Sequence, residues 1–180
     1  GILCHITSLP SSTLSDGYKF VDWLRSNGFA YWQMLPLTPP DKYASPYASP
    51  SAFAGWEALC DTEATTSMEE DAYWLRDWAL YCAIKADQDV KPWYEWPEPL
   101  KNRDSHALEK FNERLQPYID QQANFSAEWN KLRQYASQNG VKIIGDVPIF
   151  VAHDSADVWA HQELFQLDEN GYPTFIAGVP

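Results

Sequence analysis

A carboxylate set inside an apolar run is where chemistry would first be sought in these 180 residues. Asp146 interrupts Ile143-Ile144-Gly145-Asp146-Val147-Pro148-Ile149-Phe150. Burying such a group unpaired costs several kcal/mol, so it belongs at the open end of a strand or beside a partner. Pro148, two residues on, removes a backbone donor and marks where regular pairing stops. Asp146 therefore reads either as a site carboxylate at a strand's mouth or as a cap on a turn. The second such stretch is YASPYASPSAFAG, Tyr43 to Gly55, in which Tyr43 and Tyr47 flank Ser45-Pro46. A Pro-stiffened loop presenting two phenols loses little entropy when it orders on a ligand. Flat rings with a polar handle suit the C–H faces and hydroxyls of a sugar. The alternative is a loop folded over the mouth for packing, and Phe53 is expected to pack.

Other chemistries find less support. In HDSADVW, His153 to Trp159, Asp154-Ser155 can cap a helix and Asp157 would lie in its first turn, where the dipole favours an anion. His153 has no second His or Cys at ligand spacing, so no metal is expected. There is no GxSxG elbow and no Gly-rich phosphate loop. Cys4, Cys60 and Cys82 are odd in number and lack CxxC spacing, which points to reduced thiols in a cytoplasmic setting rather than a disulfide framework.

The elements that position these residues follow from apolar patterning. Ile2 to Ile6 reads as a short strand ending at Ser8-Leu9-Pro10. Asp16 or Ser15 is placed to cap a helix carrying Phe20, Val21 and Leu24 on one face, with Asn27-Gly28 as its stop. Ala30 to Leu37 is a buried strand ending at Pro36, so the three elements form a parallel βαβ unit. Four prolines keep Thr38 to Gly55 an irregular loop. It follows the C-terminal end of a strand, the end at which parallel α/β proteins bind ligands. Long helices are expected over Glu69 to Asp89, Asp104 to Gln122 and Ser126 to Asn139, with KPWYEWPEPL as a turn segment and Gly140 as a helix stop. Val141 to Ala152 is a third buried strand. More than a hundred residues separate the second and third strands, far beyond what a βαβ crossover needs, so a helical insertion is predicted. Three strands cannot close a barrel, and the chain is read as incomplete.

Composition bounds the partners. Twenty-five acidic against 13 basic residues give a formal charge of −12, which disfavours nucleic acid and anionic membranes. No window reaches the ~20 apolar residues of a membrane span, and no signal peptide opens the chain. A neutral partner fits better, and nine Trp with ten Tyr supply more rings than a core of this size needs, although each ring alone is more readily explained by packing.

Several of these stretches together resemble the amylomaltases, also called 4-alpha-glucanotransferases or disproportionating enzymes. The matching residues are GILCHITSLPS, FVDWL with YWQMLPL, YASPY followed by SAFAG, WLRDWALYCAIK, PWYEWPEPL, IIGDVPIFVAHDSADVW and FQLDENGYPTFIAGVP. They stand in the family's order, and the GDVPIFVAHDSADVW block is highly specific. The resemblance implies an α/β fold, here a partial TIM (β/α)₈ barrel of about the first three parallel strands with an inserted helical subdomain. Residues 1–60 would be the first βαβ portion with a glucan-contacting loop, 61–140 the helical subdomain, and 141–180 the third strand with the loop and helix after it.

The implied activity is transfer of alpha-1,4-glucan segments between maltooligosaccharides, starch or glycogen, without cofactor, by a retaining double displacement. By the same resemblance Asp146 matches a strand-end aspartate beside the donor sugar, Tyr47 and Ser45 match loop residues that contact glucan, and Tyr43 matches an aromatic near a further contact region. All four are binding groups. The nucleophile and the acid/base are expected beyond Pro180, so no catalytic residue is assigned within the chain. SSTLSDG departs from the family's Gly-Asp-Leu-Gly turn, FAGWEALCD stands where Asn-Pro is usual, and the segment before the first long helix is abbreviated. A fragment or a degenerate or chimeric derivative is implied. Competing expectations are a non-catalytic glucan-binding module and an alpha-amylase-like glycoside hydrolase.

Overall fold

The computed structural model describes residues 1–61 and 72–175. Three parallel strands form one sheet in the order β1-β2-β3: β1 is Ile2–Leu3, β2 Tyr31–Gln33 and β3 Lys142–Ile144. Each is shorter than expected. Cys4 N–H still donates to Gln33 at 2.9 Å and Met34 N–H to Ile144 at 3.1 Å, after which the chain turns away. Pro36 has no donor, Ile6–Ser8 winds into a 3-10 turn, and Gly145-Asp146 opens the loop after β3.

The register sets Ile2, Trp32 and Ile143 on one face and Leu3, Gln33 and Ile144 on the other. Helix α1, Asp16–Ser26, and the C-terminal half of helix α5, Gln116–Gln138, cover the first face. There Trp32 is 0% exposed beside Val21, Leu24 and Leu132, whereas Leu3 is 59% and Ile144 44% exposed on the second. The strands were expected to be buried on both faces. Their exposure on one face follows from helices packing on the other face alone.

Helix α1 ends at Asn27, with the expected Val21 and Leu24 inward. Its start differs from expectation, because Ser15 makes no side-chain cap bond. Asp16 instead accepts from Ser11 N and Oγ at 2.5 and 2.6 Å, and these bonds hold its carboxyl below the usual range.

The middle of the chain is helical: α2 Leu75–Asp87, α3 Glu98–Lys101 and α4 Ser105–Glu109 precede α5. The expected break between Gln122 and Ser126 is absent. Helix α5 runs unbroken for 23 residues, about 34 Å at 1.5 Å per residue. The interruption lies earlier, across Lys110 to Leu115. QQANFS reads as polar in sequence, yet Gln122, Ala123 and Phe125 are buried against the Tyr43–Gly55 loop and neighbouring core. Gly140 is the expected stop, at φ 74°, a conformation that glycine adopts without a Cβ penalty. Residues 69–71 of the first predicted long helix, and 176–180 of the FQLDENGYPTFIAGVP stretch, lie outside the described residues.

A second apolar cluster gathers Trp78, Tyr81, Ile84, Trp93, Trp96 and Trp159. It joins α2 and the Pro/Trp turn to helix α6, Ala156–Ala160. Most tryptophans therefore serve the core. No helix among the described residues is long and apolar enough to cross a membrane.

Candidate functional site

The loops after β2 and β3 leave the same edge of the sheet, because neighbouring parallel strands end together. Asp146 stands two residues past β3 and Tyr47 in a 3-10 turn, Pro46–Ala48, in the loop after β2. The Tyr47 hydroxyl donates to Asp146 Oδ2 at 2.6 Å. The other oxygen, Oδ1, accepts from Val147 N at 2.9 Å, so the carboxylate is oriented from both sides while remaining open to solvent. That hydrogen bond first, then desolvation and the negative charge of Asp146, push the Tyr47 phenol above its ordinary range. Beside the pair a cleft of about 150 Å³ runs between Tyr47, Ser49, Ser51, Phe150 and Val151.

The other two predicted residues lie on this loop but not in the pair. Ser45 is half-buried, and its N–H donates to Asp41 Oδ1 at 2.9 Å. Tyr43 is 76% exposed, with the Lys42 ammonium 5.1 Å over its ring. Asp41 was missed by sequence reasoning. Its Oδ1 also takes Tyr43 N–H at 2.9 Å, and its backbone closes on Ala44 and Ser45 at 2.9 and 3.1 Å. An Asp followed at short range by small and turn-forming residues is the signal that was available.

Three long-range clamps set the loop's position. Gly55 N–H donates to Gln122 Oε1 at 2.8 Å while Gln122 Nε2 donates to Gly55 O at 2.9 Å. Only glycine fits there, since a Cβ would stand 2.0 Å from the Phe125 ring. Ala156 N–H donates to Pro50 O at 2.8 Å. The Asp157 carboxylate accepts from Ala52 N–H at 2.9 Å. Burial raises the Asp157 carboxyl above its usual range, opposed by backbone donors, Ala52 first. Ser155 caps α6 through Val158 N–H at 3.2 Å, as expected.

Asp154 does something the sequence did not disclose: it accepts from the Tyr81 hydroxyl at 2.7 Å and pairs with Lys85 at 2.5 Å, tying the segment after β3 to α2. His153 Nε2 lies 2.7 Å from Gly171 O. Among the described residues no group of three or more His, Cys, Asp or Glu is placed to hold a metal ion.

Parallel strands with helices, whose adjacent C-terminal loops bring a phenol and a carboxylate together, define an α/β protein with a polar site at the strand ends. The comparisons narrow this class. The family model described as 4-alpha-glucanotransferase matches residues 4–72 and 57–180. The 4-alpha-glucanotransferase of Aquifex aeolicus is 36% identical over 237 residues, covering 100% of this chain and 49% of that protein. The 4-alpha-glucanotransferase of Thermus thermophilus is 35% identical over 240 residues, covering 100% and 48%. The solved structure of the amylomaltase from Streptococcus agalactiae, in complex with acarbose, superposes with a TM-score of 0.88 at 31% identity and covers 100% of this chain and 49% of that one. The chain belongs to the 4-alpha-glucanotransferase family. It spans about half the length of the curated relatives it matches.

Proposed function

We propose that this chain contributes the glucan-contacting N-terminal half of a 4-alpha-glucanotransferase, with Asp146 and Tyr47 as the donor-sugar contacts, Ser45 supporting the loop and Tyr43 offering a ring to a more distant glucose unit. The observation that carries this reading is the 2.6 Å Tyr47–Asp146 bond between loops from adjacent strand ends. An ionised carboxylate accepts from two sugar hydroxyls at once, and a phenol both donates and accepts. Together they can fix one glucose ring against rotation. In this reading the three strands are the first of a (β/α)₈ barrel. Residues 1–60 form its opening βαβ portion, 61–140 a helical subdomain, and 141–180 the third strand with its loop and helix.

Transfer with retention needs a carboxylate nucleophile and an acid/base about 5 Å apart. Both are assigned to sequence beyond Pro180, and the residues present bind and orient glucan. Among the described residues Cys4, Cys60 and Cys82 are free thiols, and burial first, then nearby carboxylates, push the Cys60 thiol up to about 12. Thiols left unpaired fit a reducing, cytoplasmic setting.

Calorimetric titration with maltoheptaose tests the reading. Saturable binding that Asp146→Asn and Tyr47→Ala each weaken is expected. Absence of saturable heat, or indifference to both substitutions, would sink it.

A further inference from the structure

Asp154 lies outside the proposed glucan contacts but on the same segment as Asp146. From Gly145 to Asp154 the backbone makes no hydrogen bond to another backbone group among the described residues, and Val147, Ile149 and Phe150 are largely exposed. The position of this segment therefore depends on side-chain anchors at its two ends. At the near end the Tyr47 hydroxyl holds Asp146. At the far end, eight positions on, Asp154 gathers three donors: the Tyr81 hydroxyl at 2.7 Å, the Lys85 ammonium at 2.5 Å and the Trp93 N–H at 3.3 Å. Lys85 also donates to the Tyr81 hydroxyl oxygen at 3.0 Å, which closes a triangle. Tyr81 is buried within α2, so the triangle is fixed to the core rather than to another loop. Next to it Trp93 Nε1 donates to His153 O at 2.7 Å, and the Tyr94 ring stacks on the His153 imidazole at 4.3 Å.

Helix capping does not account for Asp154, because Ser155 already caps α6 through Val158 N–H. Stability alone does not account for it either. The Lys85 and Asp154 side chains are 19% and 35% exposed. An ion pair drawn out of water gives up hydration that its attraction only partly restores, and apolar residues of similar size often hold a fold as well. What three converging donors add is direction. A carboxylate caught by an ammonium, a phenol and a backbone N–H has one placement. Binding groups must stay within about 0.5 Å of their productive geometry, and they do so through the residues that support them.

We infer that Asp154, gripped by Lys85 and Tyr81, is a positioning residue for Asp146: it fixes the far end of the segment after β3 and so sets where the Asp146 carboxylate meets Tyr47 and a ligand. Its effect on affinity rests on the glucan-contact reading of Asp146. Its effect on the Tyr47–Asp146 contact does not, since that contact exists without ligand.

Two measurements on Asp154→Asn and Lys85→Met, each against wild type, test this. In the ligand-free chain, nuclear magnetic resonance is expected to show the Tyr47 ring and Val147 amide signals shifted in both variants, with the Cys4 amide at the sheet unmoved. Unshifted Tyr47 and Val147 signals would overturn the inference. In titration with maltoheptaose, Asp154→Asn is expected to weaken binding about fivefold, the size of coupling found within one polar network. It should cause no further loss in a chain already carrying Asp146→Asn. An equal loss in both backgrounds would make Asp154 a merely structural residue. If wild type itself gives no saturable heat, the glucan reading fails, and the resonance measurement alone decides the inference. Should circular dichroism show Asp154→Asn unfolded, Lys85→Met, which leaves the carboxylate in place, carries both comparisons.

Discussion

The Tyr47 hydroxyl and Asp146 carboxylate are joined at an exposed position, so the bond adds little to folding, and the role proposed for the pair is in ligand binding. Exchanging one hydrogen bond for another with solvent leaves stability nearly unchanged at such a site. Tyr47→Phe is accordingly expected to weaken maltoheptaose binding by about tenfold, roughly one lost polar contact, while the thermal midpoint stays where it was. A fall in both together would make Tyr47 a structural residue. Asp157 has the opposite character. Its carboxyl is raised by burial, so the charged form is penalised in the folded state. Stability from this group is greatest when it is protonated and is lost as pH rises past the unfolded value of about 3.9. Asp157→Asn keeps an oxygen for the Ala52 N–H and removes the charge. The variant should melt higher than wild type at pH 7, with the gap closing toward pH 4 in a calorimetric series. A constant gap across that range would show that charge burial is not its cause.

The elements that matter most are those that hold the loop after β2 against the rest. Gln122 lies mid-helix in α5 and is 2% exposed, with its amide spent on both backbone groups of Gly55. Gln122→Ala orphans a buried N–H and C=O, which costs about 2–4 kcal/mol. The urea midpoint is expected to fall with the slope of the transition preserved, and amide exchange at Gly55 to accelerate. If exchange at Gly55 is unchanged, the clamp does not set the loop. Sequence patterning could not have found this residue. A Gln inside QQANFS looks like a helix break, and only the packing of Phe125 against Gly55 explains why the helix continues. Asp146 was legible because a carboxylate in an apolar run must sit near a strand's open end. Its partner was not, since 99 positions separate it from Tyr47 and nothing local encodes that distance.

Taken as a whole molecule, the chain covers one face of its sheet and leaves Leu3 and Ile144 open on the other. The proposed glucan contacts stand at the rim of that sheet, and the same proposal puts the carboxylates of double displacement beyond Pro180. The isolated chain is therefore expected to release no glucose from maltotriose, while a longer reading frame that continues past Pro180 redistributes maltooligosaccharide lengths without accumulating reducing ends. Robust turnover by the 180 residues alone would place the chemistry within them. Accumulation of reducing ends by the longer protein would indicate a hydrolase.

What the sequence determined by itself were features with local causes: apolar runs that become parallel strands, prolines that keep Thr38 to Gly55 irregular, the stop at Gly140, and the motif order that identifies the family. What only the tertiary structure decided were pairings between distant segments, namely Tyr47 with Asp146, Gly55 with Gln122, Ala52 with Asp157, and Lys85 and Tyr81 with Asp154. It also decided which face of the sheet is covered and which aromatic rings are core. Local order depends on the backbone preferences of a few neighbours, whereas these contacts depend on where helix packing carries segments far apart along the chain.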